Sequence, residues 1–405
     1  MGQGVSLIGT WMQQVSMSWL VYRMTNSAFL LGLVGFTSLF PVFILSPLTG
    51  VVADKHNRRK ILIITQIASM VQALVLAFLV LSDLIQVWHI LLLSCLLGLV
   101  NSFDVPARQS FVIDMVENKN DLSNAIALNS TMFNSARLIG PSIAGILIAV
   151  LGEGVCFLLN GISYLFVILA LVLMKINYKK HAEHEAPILL GLKHGFKYVS
   201  SSIPIKYILL LLGMMGLLGM QYVVLMPIFA TKILGGGPHT LGFFMAATGI
   251  GALTGSLHLA SRKNILGLGK IIAFSPALFG ISLICFSFSH YLPLSLVMMF
   301  ITGFALIRQT TSSNTVVQMI VDDDKRGRVM SLFAMAFIGM SPFGSLLIGS
   351  IADKIGAPNA LIISGVCCIL GSLLFVKNLP KIRKHLRPIY VKKGIIQEDM
   401  PRIVQ

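Results

Sequence analysis

The sequence predicts an all-α polytopic membrane protein, with twelve transmembrane helices in two pseudo-symmetric six-helix bundles. Three observations carry that prediction. The 405 residues are 56% hydrophobic and only 11% charged, with a mean hydropathy of +0.85, whereas soluble domains are about 45–50% apolar and about a quarter charged. The apolar residues fall in windows of about 20, the length that spans a hydrocarbon core as helix, and no strand-length alternation of a β-barrel appears. The 31 Lys and Arg sort to one side of the bilayer.

Taken in order, the spans are expected near 3–22, 28–53, 61–82, 88–107, 125–150 and 155–174, then 206–230, 241–260, 269–289, 292–313, 329–352 and 357–377. The first run begins almost at Met1, with no basic region before it and no cleavable leader pattern. Either the first span starts unusually close to the membrane or the sequence is trimmed. The second and third runs are joined by Gly50–Lys60, which packs Asp54, Lys55, Arg58, Arg59 and Lys60 together. Such a turn must lie at a bilayer surface, because charge at the bilayer centre is expensive. Between the halves, Lys175–Ser202 is the only long internal hydrophilic segment. The resulting division is a bundle at 1–174, a central loop at 175–204, a bundle at 205–377 and a basic tail at 378–405.

Twelve spans put both termini and the central loop on one side. With that side cytoplasmic, all of the Lys and Arg except Arg23, Lys232, Lys354 and the intramembrane Arg137 fall on cytoplasmic loops, the tail or adjoining helix ends. This is a positive-inside pattern and, with the aromatics distributed through the apolar runs, favours a membrane orientation over a nucleic-acid surface. The cysteines, Cys95, Cys156, Cys285, Cys367 and Cys368, lie in apolar runs without metal-ligand spacing and read as small buried hydrophobes.

An internal repeat links the halves. Phe103-Asp-Val-Pro-Ala-Arg108-Gln109 precedes Gly140-Pro141, and Phe304-Ala-Leu-Ile-Arg308-Gln309 precedes Pro342-Phe-Gly344. Arg108 to Pro141 is 33 residues and Arg308 to Pro342 is 34. Such repeats are common in secondary transporters.

Gly50-x-x-x-Asp54-Lys55-x-x-Arg58-Arg59 resembles the signature between spans two and three of the major facilitator superfamily. The family has Gly where this chain has Asn57, a residue that tolerates left-handed backbone. A second resemblance lies in span five, where the family's antiporters carry a glycine ladder ending in Gly-Pro. Here Ala127, Ala136, Gly140-Pro141, Ala144 and Gly145 stand at that spacing. Gly9-Thr-Trp11-Met-Gln13-Gln14, Phe103–Gln109 and Asn124-Ala-Ile-Ala-Leu-Asn129-Ser are similar to the branch containing drug, macrolide and enterobactin-type siderophore exporters. The resemblance implies a cytoplasmic gate built from Gly50, Asp54, Lys55, Arg58, Arg59, Asp104 and Arg108. In it Asp54 approaches the helix opening after Asp322–Asp324 when the protein is open outward. It implies an antiporter-like bend at Gly140, Pro141 and Gly145.

Within the spans, Ser130, Asn134, Arg137 and Pro141 recur at helical spacing as one polar stripe that must face protein or water. Arg137 reads either as a cavity cation for anionic substrate groups or as a structural arginine on backbone carbonyls. Asp104 precedes Arg108 by four residues, so the two share a helix face; a proton-carrying role competes with a structural pair. Gln13 or Gln14, Gln221, Tyr222 and Arg308 are further candidates for a substrate or proton pathway, each with an interhelical hydrogen bond as the alternative. The function expected is a proton-coupled antiporter exporting amphipathic small molecules, such as a drug, macrolide or siderophore, from the cell (inner) membrane. A proton-coupled uptake symporter and a non-transporting scaffold or sensor are the alternatives. No metal spacing, phosphate loop or nucleophile motif points to an enzyme, a metal or a cofactor. The expected partners are a small-molecule substrate, protons and the lipid bilayer, with no nucleic acid. The sequence leaves the oligomeric state open, a monomer being expected.

Overall fold

The structure, a computed structural model, describes residues 2–115, 121–174, 188–262, 266–322 and 325–393. Among these every regular element is helical. The first six are α1 (Gly2–Thr25), α2 (Ala28–Lys55), α3 (Arg58–Leu81), α4 (Val87–Asp114), α5 (Leu122–Leu151) and α6 (Glu153–Leu173). Then come α7 (Ile188–Ser201), α8 (Ile203–Met214), α9 (Tyr222–Ile228), α10 (Pro238–Ala260), α11 (Leu268–Ser287) and α12 (Leu292–Ile320). Last are α13 (Arg326–Phe337), α14 (Ser341–Ile355) and α15 (Ala357–Lys392). Eleven helical stretches among the described residues are long and apolar enough to cross a membrane. The 24-residue α1 has the length for a twelfth, at about 1.5 Å per residue.

The packing is that of a protein solvated by lipid. Large apolar side chains stand outward, with Leu173 77% and Val150 73% exposed, while Gln13, Gln66, Gln72, Asp104 and Asn160 are buried. Buried polar groups need partners, and these have them: Gln13 Nε2 donates to Gln72 Oε1 at 3.0 Å, and Asn160 Nδ2 donates to Gln13 Oε1 at 2.7 Å. Gln72 Nε2 in turn donates to the Leu93 carbonyl at 3.3 Å, so one chain of amides ties α1, α3, α4 and α6.

The chain divides into two compact units. One comprises 1–185 with Val224–Ala246 and Ser345–Asp353; the other comprises Ala186–Val223, Ala247–Gly344 and 354–405. Within the first, α2 and α14 touch through Gly32 and Gly349. A Cβ on Gly349 would come within 2.7 Å of the Ala28 carbonyl and 2.9 Å of Gly32 Cα, so only small residues fit. Where they meet, Asp353 Oδ1 accepts from Ser27 Oγ at 3.3 Å and from the Phe29 amide at 3.4 Å, and so caps the start of α2.

The second unit is organised around an apolar cluster in which Ile205 and Leu212 of α8 meet Ile271 of α11, Val317 of α12 and Val329 of α13. Leu379, Ile382, Leu386 and Tyr390 belong to it too. The stretch 378–392 is therefore packed helix: α15 continues through it to Lys392 because one face of it is apolar, and 394–405 lie outside the described residues. At its end, Lys393 Nζ donates to the Met319 and Val321 carbonyls at 2.6 and 3.2 Å, closing the C-terminus of α12. The hydrophilic central segment contains α7, whose residues 175–187 upstream lie outside the described set.

Three further differences have local causes. The span expected at 329–352 is interrupted between Phe337 and Ser341, where Pro342 removes a helical donor. The span expected at 206–230 carries π-helical turns at Met215–Gly219 and Phe229–Ile233, the second beginning two residues after Pro227. Asn57 is not left-handed: at φ −63 and ψ 106 it is extended, and its side chain accepts from the Lys60 amide at 3.2 Å as the N-cap of α3. Asparagine suits the position as a cap, not as a stand-in for glycine.

Candidate functional site

The charged turn is anchored before it is anything else. Arg58 is buried, and its Nε donates to the Ala53 carbonyl in the last turn of α2 at 3.3 Å. Arg59 reaches across to α6, where Nε and Nη2 donate to the Leu171 and Val172 carbonyls at 2.6 and 2.7 Å. A cation on the last carbonyls of a helix satisfies orphan acceptors and the helix dipole together. Beneath the turn, Ala53, Leu62, Ala107, Phe111, Val167 and Leu171 form a small apolar core shared by α2, α3, α4 and α6. Lys55 is exposed, and a Cβ on Gly50 would meet nothing within 4 Å. Asp54 lies in the last turn of α2, with its side chain outside the described set, as are Ala127, Ser130, Asp323 and Asp324.

Asp104 and Arg108 do pair. Arg108 Nε and Nη2 meet Asp104 Oδ2 at 2.9 and 2.8 Å. Oδ1 accepts from Thr65 Oγ1 and Gln66 Nε2, both at 2.8 Å. Every one of these contacts is a donor, so Asp104 acts here as an acceptor that ties α4 to α3. A second carboxylate is held alike: Glu153 at the start of α6 accepts from Arg23 Nε at 2.7 Å.

Along the α1–α5 seam, amide, aromatic and guanidinium side chains meet. Gln3 Nε2 donates to Asn129 Oδ1 at 3.2 Å. Further along, Trp11 meets the Phe133 ring edge-on at 5.8 Å, and the Arg137 guanidinium carbon stands 5.7 Å from the Trp11 ring centre. Next, Gly140 lets the helices touch; a Cβ there would come within 2.6 Å of Trp11 Cβ and 2.8 Å of the Ile8 carbonyl. One residue on, Pro141 has no N–H for the Arg137 carbonyl, although α5 runs through it unbroken. Gly145 then meets Gly242 of α10, within the same compact unit, with 3.0 Å between its would-be Cβ and Gly242 Cα. Gln14 is exposed, whereas Gln13 points the other way into the amide chain. Arg137 and Asn134 are half-buried. The seam is therefore a wall of two aromatic rings, an arginine and amide groups, chemistry suited to aromatic or anionic parts of a guest.

In the other unit Gln221 is buried and donates to the Gly216 carbonyl at 2.7 Å, bridging the first π-helical turn. Tyr222 is buried against Phe279, with ring centres 5.9 Å apart. Arg308 stacks on Phe304 with its charge 4.9 Å from the ring centre.

Residues 2–392 match the family model described as transmembrane secretion effector, within the major facilitator superfamily. The chain belongs to that family. It is a membrane transporter and not an enzyme. It is similar to the staphyloferrin A transporter of Staphylococcus aureus, 28% identical with 91% of this chain and 92% of that one covered. It is also similar to the multidrug efflux pump Tap of Mycolicibacterium fortuitum, at 24% with 91% and 92% covered. Macrolide efflux protein A of Streptococcus pyogenes is 21% identical, with 94% and 95% covered. Among solved structures, the nucleoside transporter NupG superposes with a TM-score of 0.71 at 13% identity, covering 93% of this chain and 98% of that one. A bacterial homolog of the human lysosomal transporter Spinster gives 0.71 at 15%, covering 95% and 97%. These likenesses show that the chain shares the all-helical fold of these proteins.

Two polar contacts at helix ends lie beyond what the sequence reading predicts. Asp353 ends a span, and Gly349-Ser-Ile-Ala-Asp353-Lys354 repeats Gly50-Val-Val-Ala-Asp54-Lys55 in four of six residues. Comparing helix ends, not only helix interiors, reveals it. The Arg23–Glu153 pair has no such signal, since its partners lie 130 residues apart.

Proposed function

We propose that this transporter exports amphipathic small molecules across the cell (inner) membrane in exchange for protons, by alternating access between two six-helix bundles, with both termini cytoplasmic and the monomer as working unit. The observation that carries the reading is the α1–α5 wall, where Trp11, Phe133 and Arg137 meet beside Gly140-Pro141. An arginine held at bilayer depth by an aromatic ring is costly unless a pathway uses it. The similarity to a staphyloferrin A transporter and to a macrolide efflux protein supports export of small molecules. Gln14, Asn134 and Arg137 contact the substrate in this reading; Gln13, Gln221 and Tyr222 hold helices around it.

Gating then falls to helix ends. In this reading Asp54 closes the cytoplasmic side, and Gly50, Lys55, Arg58 and Arg59 keep its turn in register. Asp104 and Arg108 brace the same side from α4. Proton exchange requires a proton-carrying group that senses substrate, and of the two buried carboxylates among the described residues, Asp104 and Glu153, Asp104 is the candidate in this reading because it lies beside the charged turn.

Everted vesicles containing the protein, with an imposed proton gradient, test the reading against macrolides, dyes and siderophores. Uptake that collapses with the gradient is expected, together with partial dissipation of the gradient when substrate is added. Export unaffected by the gradient removes the proton, movement in the opposite direction makes the protein an importer, and no movement of any compound rejects transport of this class.

A further inference from the structure

The internal repeat places an arginine–glutamine pair at matching positions, Arg108-Gln109 on α4 and Arg308-Gln309 on α12. Four residues earlier the halves differ: Asp104 in the first, Phe304 in the second. Arg108 therefore has a carboxylate at 2.8 Å, whereas Arg308 has a ring face. Arg308 Nε is buried and makes no hydrogen bond.

The surroundings add positive charge. Lys270, the third residue of α11, lines the same crevice as Arg308, together with Ile271, Phe274, Ser275 and Leu278. The crevice holds about 200 Å³. Arg262, past the end of α10, is close enough to act on Arg308 by charge, and its own Nη2 is spent on the Leu266 carbonyl at 3.0 Å. No carboxylate among the described residues pairs with Lys270 or Arg308. All these groups belong to one compact unit. Arg308 is half-buried, and its buried N–H without a partner carries a desolvation cost that an anion would offset, while the exposed Lys270 adds a second positive charge at the mouth of the same space. Beside them Phe274 is 59% exposed, so the crevice joins an anion-binding end to an apolar wall.

We propose that Lys270 and Arg308 form a binding site for a phosphate-bearing anion, and that its occupant is the headgroup of an anionic phospholipid. Guanidinium and ammonium groups both bind phosphate oxygens, and basic pockets between helices recognise anionic headgroups in this way. The leaflet is the one where α11 begins, which is cytoplasmic under the orientation proposed above. Phe274 packs the first acyl carbons while the two cations hold the phosphate.

The full-length protein in detergent tests this without any transport measurement, so its outcome is separate from that of the exporter reading. Phosphatidylglycerol, phosphatidylcholine and inorganic phosphate are titrated in turn, and thermal stability and lipid retained in native mass spectrometry are read. Phosphatidylglycerol is expected to raise Tm and to bind at least tenfold more tightly than phosphatidylcholine. R308Q and K270Q should each weaken that response about tenfold, R308K should keep most of it, and K384Q, at an exposed lysine of α15, should leave it unchanged. If inorganic phosphate alone reproduces the Arg308-dependent shift, the anion site stands and the lipid assignment is overturned. A phosphatidylglycerol response equal in wild type, R308Q and K270Q overturns the site. Should R308Q fail to fold, F304D replaces it: a carboxylate four residues before Arg308 recreates the Asp104–Arg108 arrangement. Undiminished lipid binding by F304D counts against the proposal.

Discussion

At the scale of single residues, side chains of the same type are separated by what stands beside them. Asp104 is engaged by three side chains, so Asp104→Asn leaves Arg108 half-buried without its counter-charge. Loss of one partner of such a pair costs about 3 kcal/mol, to be read as a lowered Tm in detergent. The double variant Asp104→Asn/Arg108→Gln should lose less than Asp104→Asn alone, because no uncompensated charge remains. If D104N still couples export to the gradient, the proton is carried elsewhere. Arg137 has a ring for a neighbour, and Arg137→Gln should lower kcat/KM for anionic substrates about tenfold, worth ~1.4 kcal/mol, with neutral substrates little changed. Equal loss for both classes makes Arg137 a structural residue. Sequence spacing showed that Arg137 sits at membrane depth; it did not show Trp11, because a residue 126 positions away is brought alongside only by packing.

At the scale of elements, the helices meet where their surfaces are smallest. Gly140 lies against Trp11 and Gly145 against Gly242, so a larger side chain forces α5 off its neighbours, at about 1–3 kcal/mol for each overpacked site. Gly140→Val is expected to abolish transport while the protein still reaches the membrane, as shown by immunoblot of membrane fractions beside a transport assay. Normal transport by G140V would show that the contact is slack. The charged turn behaves as a capped corner: Arg59 closes α6 and Asn57 opens α3. Arg59→Ala should cost about 1.5–3 kcal/mol, the range for hydrogen bonds to charged groups, measured as a Tm shift. At the far end of the repeat, Asp353 caps α2 through exposed contacts, which carry little folding stability. Asp353→Asn should therefore leave Tm within about 1 °C and instead alter the transport rate in vesicles. An unchanged rate removes this cap from the gating cycle.

At the scale of the whole molecule, a C-terminal fusion tests orientation. Green fluorescent protein after Gln405 should fluoresce and alkaline phosphatase there should stay inactive; the reverse result places the tail outside. The span count, the charged turn, the arginine repeat and the Asp104–Arg108 pair were legible because each depends on local composition or on residues a helical turn apart. Span boundaries were legible to within a few residues for most helices, and failed where an apolar face continued past the membrane, as in α15, or where Pro342 broke a helix. The sequence by itself determined that this chain spans a bilayer many times and belongs with secondary transporters, since hydrocarbon thickness and the cost of buried charge act on every segment alone. Only the tertiary structure decided which polar residues are spent on neighbours and which stay available. Gln13 and Gln14 are adjacent in sequence and face opposite ways; Arg108 and Arg308 match in the repeat, yet among the described residues Arg108 has a carboxylate beside it and Arg308 a ring. Burial and partner are properties of the packed interior, where distant segments meet and a polar group must find its partner among them.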